Sequence, residues 1–140
     1  MKKRYITLFL ALIISTLSFA QNINAIEPEL QKVLNQKNEE LIEIHIYFKS
    51  NINSEQLRQK SRTILDATTK KNILIDELKA HASDVQNDVV NILEAEKLNG
   101  KVSDIRCLWL SNSISCKASR DMIYELSSHP DIKMIGYDRE

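Results

Sequence analysis

The stretch LIEIHIYFK, Leu41–Lys49, decides the fold because its side chains alternate without a break. The apolar set is Ile42, Ile44, Ile46 and Phe48, and the other set is Glu43, His45, Tyr47 and Lys49. A period of two is typical of a β-strand with one buried face. We therefore predict a strand here whose second face is open to solvent or to a partner.

A long amphipathic helix is predicted after this strand. NINSEQLRQ (51–59) indicates a turn and a helix start capped by Asn53 or Ser54. From about Lys70 to Leu98, apolar residues recur at spacings of three and four, which places one apolar stripe on a helix. Gly100 is expected to end the helix, because glycine readily adopts the left-handed conformation of a C-cap.

Four further elements complete the pattern. KVSDIRCLWL (101–110) and SISCKA (113–118) predict two strands joined by a tight turn at Ser111-Asn112. Ser119 is the expected cap of a short helix that Pro130 stops, and DIKMIGYD (131–138) predicts a last strand. The order strand, helix, strand, strand, helix, strand is the split βαβ, ferredoxin-like pattern. We therefore predict an α+β domain, βαββαβ, with a four-stranded antiparallel sheet and two helices on one face.

The first 20 residues have the layout of a secretory signal peptide. Basic residues at positions 2–4 precede an apolar run that ends in SFA, so cleavage is expected after Ala20. An uncleaved membrane anchor is the alternative. The short signal that begins MKK indicates a bacterial protein that is secreted or periplasmic. Residues 21–40 are predicted to be a polar leader with a short helix, loosely attached to the domain formed by residues 41–140.

Composition argues against several classes of function. All 19 acidic residues follow residue 20, whereas three of the 19 basic residues precede it, so the mature chain carries a net charge of −3. A nucleic-acid or anionic-lipid binder would be basic. Two glycines in the whole chain provide no loop to cradle a phosphate. The length that remains supports one domain with its own core.

The sequence shows no catalytic or metal-binding set. His45, His81 and His129 fall on a strand, a helix and a loop, with no metal-ligand spacing to another histidine or cysteine. Carboxylates of the long helix, such as Asp84 and Glu94, fall on its outer side, where charge is usually solvated. We therefore predict a protein that is not an enzyme and uses no cofactor and no metal.

The predicted hairpin contains both cysteines and the single tryptophan. With the turn centred on Ser111-Asn112, Cys107 faces Cys116 at a non-hydrogen-bonded position, where Cα atoms approach to about 4.5 Å. A disulfide is possible there in an oxidising compartment, and the alternative is two small buried side chains that never pair. Trp109 lies either in the core beneath the helices or, as an anchor for a partner, on the open sheet face.

The stretch LWLSNSISCKASRDMIYELSSHPDIKMIGYD, residues 108–138, combines several features in a fixed order. A leucine-tryptophan-aliphatic run and an asparagine precede a small-and-aliphatic strand, an alanine-serine helix start and a final strand ending in Asp138. This pattern resembles the C-terminal half of subtilisin-family propeptides, a group that includes stand-alone subtilisin inhibitors. IHIYFK resembles the first strand of the family, and ELKAHASDVQNDVVNIL its long helix, although Val85 stands where a serine usually precedes the glutamine. The resemblance covers residues 41–138 and implies the same ferredoxin-like fold.

The resemblance implies a protein that acts in trans on a separate subtilisin-like serine protease. Family precursors continue into a protease domain, whereas this sequence stops at Glu140. The open sheet face would dock on surface helices of the protease, whose N-termini attract acidic side chains. The C-terminal tail would lie in the substrate cleft as an added strand and inhibit by occupancy. The implied docking residues are Glu43, His45, Tyr47 and Lys49, and the implied tail residues are Gly136, Tyr137, Asp138, Arg139 and Glu140.

Other functions fit the same surfaces. The chain could be a folding chaperone in trans for a protease made without its own propeptide. It could instead be a binding module for a small ligand or another protein of the bacterial envelope, because fold alone does not determine function. A gene fragment left from a lost protease domain is a further alternative. We expect a monomer with no nucleic-acid partner and no membrane partner after signal cleavage.

Overall fold

The computed structural model describes residues 25–36 and 40–138. Its elements in chain order are α1 (Pro28–Gln36), β1 (Ile42–Phe48), α2 (Ser54–Arg62), α3 (Ala67–Lys97), β2 (Val102–Leu108), β3 (Ser113–Ala118), α4 (Arg120–Ser127) and β4 (Ile132–Tyr137). The predicted signal peptide (1–20), its cleavage site, Arg139 and Glu140 lie outside the described residues. Within the described part of the chain, no helix is both long enough and apolar enough to cross a membrane.

The four strands form one antiparallel sheet in the order β2-β3-β1-β4. The predicted α+β class and four-stranded antiparallel sheet are confirmed, and β1 lies between β3 and β4 as the split βαβ pattern requires. Ile44 and Ile46 of β1 are completely buried, which explains its alternating sequence. Two helices lie outside the six-element pattern: α1, which falls in the leader where a short helix was predicted, and α2, which begins where a helix start capped by Asn53 or Ser54 was predicted.

One face of the sheet and the helices enclose the core. The fully buried contributors from the helices are Leu30, Leu34, Val89, Leu93, Met122, Ile123 and Leu126. They meet the inward side chains of the strands, such as Ile114 and Ile135. The apolar stripe predicted on the long helix therefore faces the sheet through its C-terminal half.

Side chains at the helix ends explain where the helices begin and stop. Asn53 Oδ1 accepts hydrogen bonds from two amides of α2, and Ser119 Oγ accepts one from Met122 N. The long helix begins three residues earlier than predicted because Asp66 caps it through a 2.7 Å hydrogen bond from Thr69 N. Gly100 follows this helix with φ +72°, the left-handed conformation expected there.

The described part of the leader belongs to the core, so the predicted loose attachment is wrong for residues 25–36. Leu30 and Leu34 are fully buried, and Ile26 forms a parallel bridge with Ile135 of β4. The Arg120 guanidinium donates a hydrogen bond to the Leu34 carbonyl oxygen. Burying two leucine side chains stabilises the attachment by roughly 3–6 kcal/mol. The segment therefore extends the sheet edge at β4 and packs with α4.

The β2–β3 hairpin has a different register from the predicted one. Leu108 pairs with Ser113, so the connecting loop contains four residues, 109–112, instead of two. A register shift between Ser103 and Arg106 marks a β-bulge, and Asp104 within it has φ +54°. The bulge bends the outer strand of the sheet and interrupts its pairing.

Asn112 fixes the end of this loop. Its φ is +45°, a conformation that asparagine tolerates better than most residues. Its Oδ1 accepts a hydrogen bond from Gln86 Nε2 at 3.2 Å, and its Nδ2 donates to Ser50 O at 2.8 Å. The loop is therefore tied both to the long helix and to the segment that follows β1.

Of the two alternatives for Cys107 and Cys116, the disulfide is absent, because both cysteines are free. The other alternative, two buried unpaired side chains, holds for Cys116 but not for Cys107. In the observed register Cys107 lies opposite Ile114, whereas Cys116 pairs with Ile44 across the β1–β3 boundary. Cys116 is buried and Cys107 is exposed. Burial raises the pKa of the Cys116 thiol to about 12. Burial, together with the Glu94 carboxylate, also raises the pKa of Cys107, so both thiols stay protonated at neutral pH.

Candidate protein-docking face

The sheet face that points away from the core, here called the open face, carries three cross-strand rows of side chains. Directly paired residues of antiparallel strands place their side chains on the same face, so the rows follow from the register. The apolar row is Leu108, Ser113, Tyr47 and Met134; the middle row is Arg106, Ser115, His45 and Gly136; the charged row is Ser103, Lys117 and Glu43. Asp138 extends the charged row, because its amide donates to Glu43 O at 3.1 Å.

The apolar row exposes large side chains next to one another. Tyr47 and Met134 are each 37% exposed, Leu108 is 36% exposed, and Leu110 in the adjoining loop is 74% exposed. Among the described residues, six large hydrophobic side chains are exposed, and these four lie on or beside the row. Contiguous exposed apolar surface of this kind marks a site of protein or ligand interaction.

A chain of polar contacts runs through the middle row. Arg106 Nη2 donates to Ser115 Oγ at 3.2 Å, and Ser115 Oγ donates to Asp138 Oδ2 at 3.3 Å. The same carboxylate oxygen lies 3.2 Å from His45 Nδ1. The His45 ring stacks on Tyr47 with centroids 5.9 Å apart. These contacts join β2, β3, β1 and the residue after β4, and they link the charged row to the apolar row.

Lys117 forms ion pairs with two carboxylates, Glu43 in the charged row and Asp104 in the bulge beside it. Its Nζ lies 3.1 Å from Asp104 Oδ2 and 3.2 Å from Glu43 Oε1. The Asp104 contact, followed by the Glu43 contact, raises the pKa of Lys117, and Lys117 in turn lowers the pKa of Asp104. A cavity of about 350 Å³ opens between these three side chains and the middle row. The exposed pairs contribute little to stability, so their main effect is on what the face can bind.

The predicted docking residues divide into two groups. Glu43, His45 and Tyr47 lie on the open face, one in each row. Lys49 follows the end of β1, and its Nζ donates to Pro130 O at 2.6 Å in the connection between α4 and β4. Lys49 is therefore at the rim of the sheet and belongs to none of the rows.

Three of the predicted tail residues are part of the sheet. Gly136 pairs with His45 and Tyr137 with Ile44, and Tyr137 packs against the core. Asp138 is held by its amide and its carboxylate, as described above. Residues 136–138 would therefore have to leave β1 before they could lie in the cleft of a protease.

Trp109 occupies neither of its two predicted places. It lies in the hairpin loop, half-buried, where it shares a groove of about 300 Å³ with Cys107, Ala82 and Val90. Lys79 Nζ lies 5.5 Å from the centre of its ring, within the range of a cation–π interaction. The tryptophan therefore covers the long helix on the side opposite the open face.

Sequence reasoning missed Arg106, Ser115, Lys117 and Met134 on the open face. The alternation in SISCKA was a usable signal, because Ile114, Cys116 and Ala118 point into the core and leave the intervening residues outside. Arg106 needed the observed hairpin register, which the sequence did not provide.

The described residues contain no group of three histidine, cysteine, aspartate or glutamate side chains placed to hold a metal ion. His129, for example, accepts a hydrogen bond from Asp131 N through Nδ1 and lies in a loop. Comparisons of the chain with protein-family models, curated proteins and solved structures found no match. Function is therefore inferred from the chemistry of the open face and from the propeptide resemblance.

Proposed function

We propose that the protein is a secreted, propeptide-like inhibitor of a subtilisin-like serine protease and that the open face is its docking surface. The observation that carries the proposal is the apolar row, in which Tyr47 and Met134 are exposed side by side. Protein interfaces typically combine apolar, aromatic and methionine side chains with a polar rim. On the open face the apolar row is bordered on one side by the middle row and the charged row.

The charged row would select among partners. Helix N-termini on a protease attract carboxylates, but Glu43 and Asp104 are already paired with Lys117. A docking helix must therefore compete with Lys117 or supply a carboxylate of its own to it. Binding through this row should weaken as salt screens the exposed charges.

The C-terminal segment would reach the substrate cleft in this proposal. Asp138 is the last described residue and is held on the sheet, so insertion of Arg139 and Glu140 would leave β4 intact. Deeper insertion, with Tyr137 in the cleft, would break the hydrogen bonds from Tyr137 N to Glu27 Oε2 and from Asp138 N to Glu43 O. The segment would inhibit by occupying the cleft, without any reaction of its own and without a cofactor.

A titration tests the proposal. Protein comprising residues 21–140 is added to a subtilisin assay that uses a chromogenic peptide substrate. We expect wild-type protein to inhibit, and Tyr47→Lys and Met134→Lys to raise the inhibition constant at least about tenfold, because each buries an unpaired charge in the interface. Leu65→Lys is the matched control, since Leu65 is fully exposed in the connection between α2 and α3.

The outcomes separate the parts of the proposal. If wild-type protein is digested by several subtilisins without inhibiting them, the inhibitor hypothesis is wrong. If Leu65→Lys weakens inhibition as much as Tyr47→Lys does, docking by the open face is wrong. Circular dichroism and urea midpoints show whether each variant is folded.

A folding chaperone in trans is the second candidate, and the position of residues 136–138 in the sheet favours it. Templating a protease requires the open face but no free tail. A chain ending at Asp138 should lose inhibition yet still accelerate refolding of a protease made without its propeptide. If neither activity is found for the full chain, the remaining alternative is a module that binds another envelope component.

A further inference from the structure

The N-terminal segment meets the C-terminal strand at the outer edge of β4. Ile26 forms a parallel bridge with Ile135, and Glu27 N donates to Ile135 O at 2.9 Å. The Glu27 side chain then reaches past Gly136, where its Oε2 accepts a hydrogen bond from Tyr137 N at 3.1 Å. One residue of the leader therefore binds β4 on both sides of Gly136.

Gly136 provides the space for this contact. A Cβ atom at position 136 would lie 3.0 Å from Glu27 Oε2 and 3.7 Å from Tyr47 Cε2. The second distance is ordinary van der Waals contact, whereas the first is tight and requires the Glu27 carboxylate to move by a few tenths of an ångström. A side chain at position 136 would therefore weaken the hydrogen bond between the Tyr137 amide and Glu27.

The backbone that carries Glu27 is fixed to the core. Leu30 and Leu34 are fully buried one and two turns later. Gln31 N donates to Glu27 O, and Gln31 Nε2 donates to Ile26 O, each at 3.0 Å. Because the backbone of Glu27 is anchored to the core, its carboxylate can hold the Tyr137 amide in place.

We propose that Glu27 is a positioning residue that fixes the backbone of Tyr137 at the C-terminal end of β4. Tyr137 is held on its outer side by Glu27, and Asp138 is held on its inner side by the Glu43 carbonyl oxygen. The last two described residues are therefore fixed at the end of the charged row of the open face. One consequence rests on the proposed function: Glu27 determines how much of the segment can enter a protease cleft.

Amide hydrogen exchange on the full chain tests the contact. Glu27→Ala removes the acceptor, so the Tyr137 amide should exchange on the order of tenfold faster, while the Ile44 and Ile46 amides keep their rates. Glu27→Gln keeps a neutral acceptor oxygen and should restore most of the protection. Such a rescue distinguishes a hydrogen-bond acceptor from a side chain that merely fills space.

A double-variant comparison sharpens the test. Gly136→Ala should accelerate exchange at Tyr137 by less than Glu27→Ala does, because it shifts the acceptor without removing it. The combined variant should be no faster than Glu27→Ala alone, since the acceptor is then already absent. Glu55→Ala, which removes an exposed carboxylate from α2, should leave Tyr137 exchange unchanged.

Unchanged Tyr137 exchange in Glu27→Ala, or additive effects of the two single changes, would overturn the proposal for Glu27. The subtilisin titration, run on the same proteins, keeps this result separate from the proposed function. Faster exchange in Glu27→Ala with no inhibition by wild-type protein refutes the inhibitor hypothesis alone. Inhibition by wild-type protein with unchanged exchange in Glu27→Ala refutes the role of Glu27 alone.

Discussion

The imidazole of His45 lies 3.2 Å from the carboxylate of Asp138, so the middle of β1 is joined by side chains to the residue that follows β4. The carboxylate also accepts a hydrogen bond from Ser115 of β3. Three parts of the sheet therefore converge on one carboxylate. This convergence ties the C-terminal end of the described chain to the centre of the open face.

Replacing Asp138 should loosen this end of the sheet without unfolding the protein. Asp138→Asn removes the charge that faces His45, and both side chains are about one quarter exposed. We expect a loss of about 0.5–1 kcal/mol in the free energy of unfolding, measured in urea at low salt. Asp84→Asn, on the exposed side of α3, is the control. At 1 M salt the screening length falls to about 3 Å. If the difference in stability between the two variants is unchanged there, the effect of Asp138→Asn is not electrostatic.

The buried Cys116 thiol predicts a loss of stability at high pH. Its pKa is about 12 in the folded chain against an ordinary 9.0, because burial disfavours the thiolate. Above pH 9 the unfolded chain releases this proton and the folded chain keeps it, so stability falls as pH rises from 9 towards 12. The slope is up to about 1.4 kcal/mol per pH unit.

Urea unfolding of wild-type protein and Cys116→Ala, from about pH 7 to about pH 10.5, measures this effect. The alanine variant should be less stable near neutral pH, but the difference should shrink by about 2 kcal/mol at the upper end of the range. A constant difference across the range would mean that Cys116 does not titrate as a buried thiol.

Shortening Leu34 should destabilise the whole domain. The side chain is fully buried between α1 and the rest of the core. Leu34→Ala should lower the free energy of unfolding by about 2–4 kcal/mol, the usual effect of a cavity of this size. Lys32→Ala, an exposed change on the same helix, should alter it by less than about 0.5 kcal/mol. Equal stability of the two variants would mean that α1 is not part of the core.

Two changes at Asn112 separate its conformation from its hydrogen bonds. Both variants lose the two side-chain hydrogen bonds of Asn112. Asn112→Ala keeps a Cβ atom in the left-handed region, whereas Asn112→Gly has none. We expect both to lower the free energy of unfolding, the alanine by about 1 kcal/mol more than the glycine. Urea midpoints at one pH provide the comparison. If alanine is no worse than glycine, backbone conformation is not what asparagine supplies here.

Local periodicity made β1 and the long helix predictable, and with them Glu43, His45 and Tyr47 of the open face. The hairpin register could not be predicted in the same way. A slip of two residues keeps every side chain of β2 on its own face, so both registers satisfy the same alternation. The observed register is accompanied by contacts of Asn112 with Gln86 and Ser50, which lie far away in sequence. The possible disulfide between Cys107 and Cys116 depended on the predicted register and is absent in the observed one.

The rest of the candidate site depends on pairing between distant parts of the chain. Asp138 reaches His45 only because β4 pairs with β1, and the alternation within either strand says nothing about its neighbour. The packing of Ile26 and Leu34 against the core was also missed. EPELQKVLNQ is too short and too polar for its sequence to indicate a buried face. Composition and caps predicted the elements, and long-range contacts determined the site.

The position of β1 between β3 and β4 has a consequence for how the chain folds during and after synthesis. β1 is synthesised early, but its two partners, β3 and β4, come from the far end of the sequence. Until β4 has been made, one backbone edge of β1 has no partner and can pair with another chain. Such non-local pairing also slows folding. The four-stranded sheet therefore cannot be completed until β4 has been synthesised.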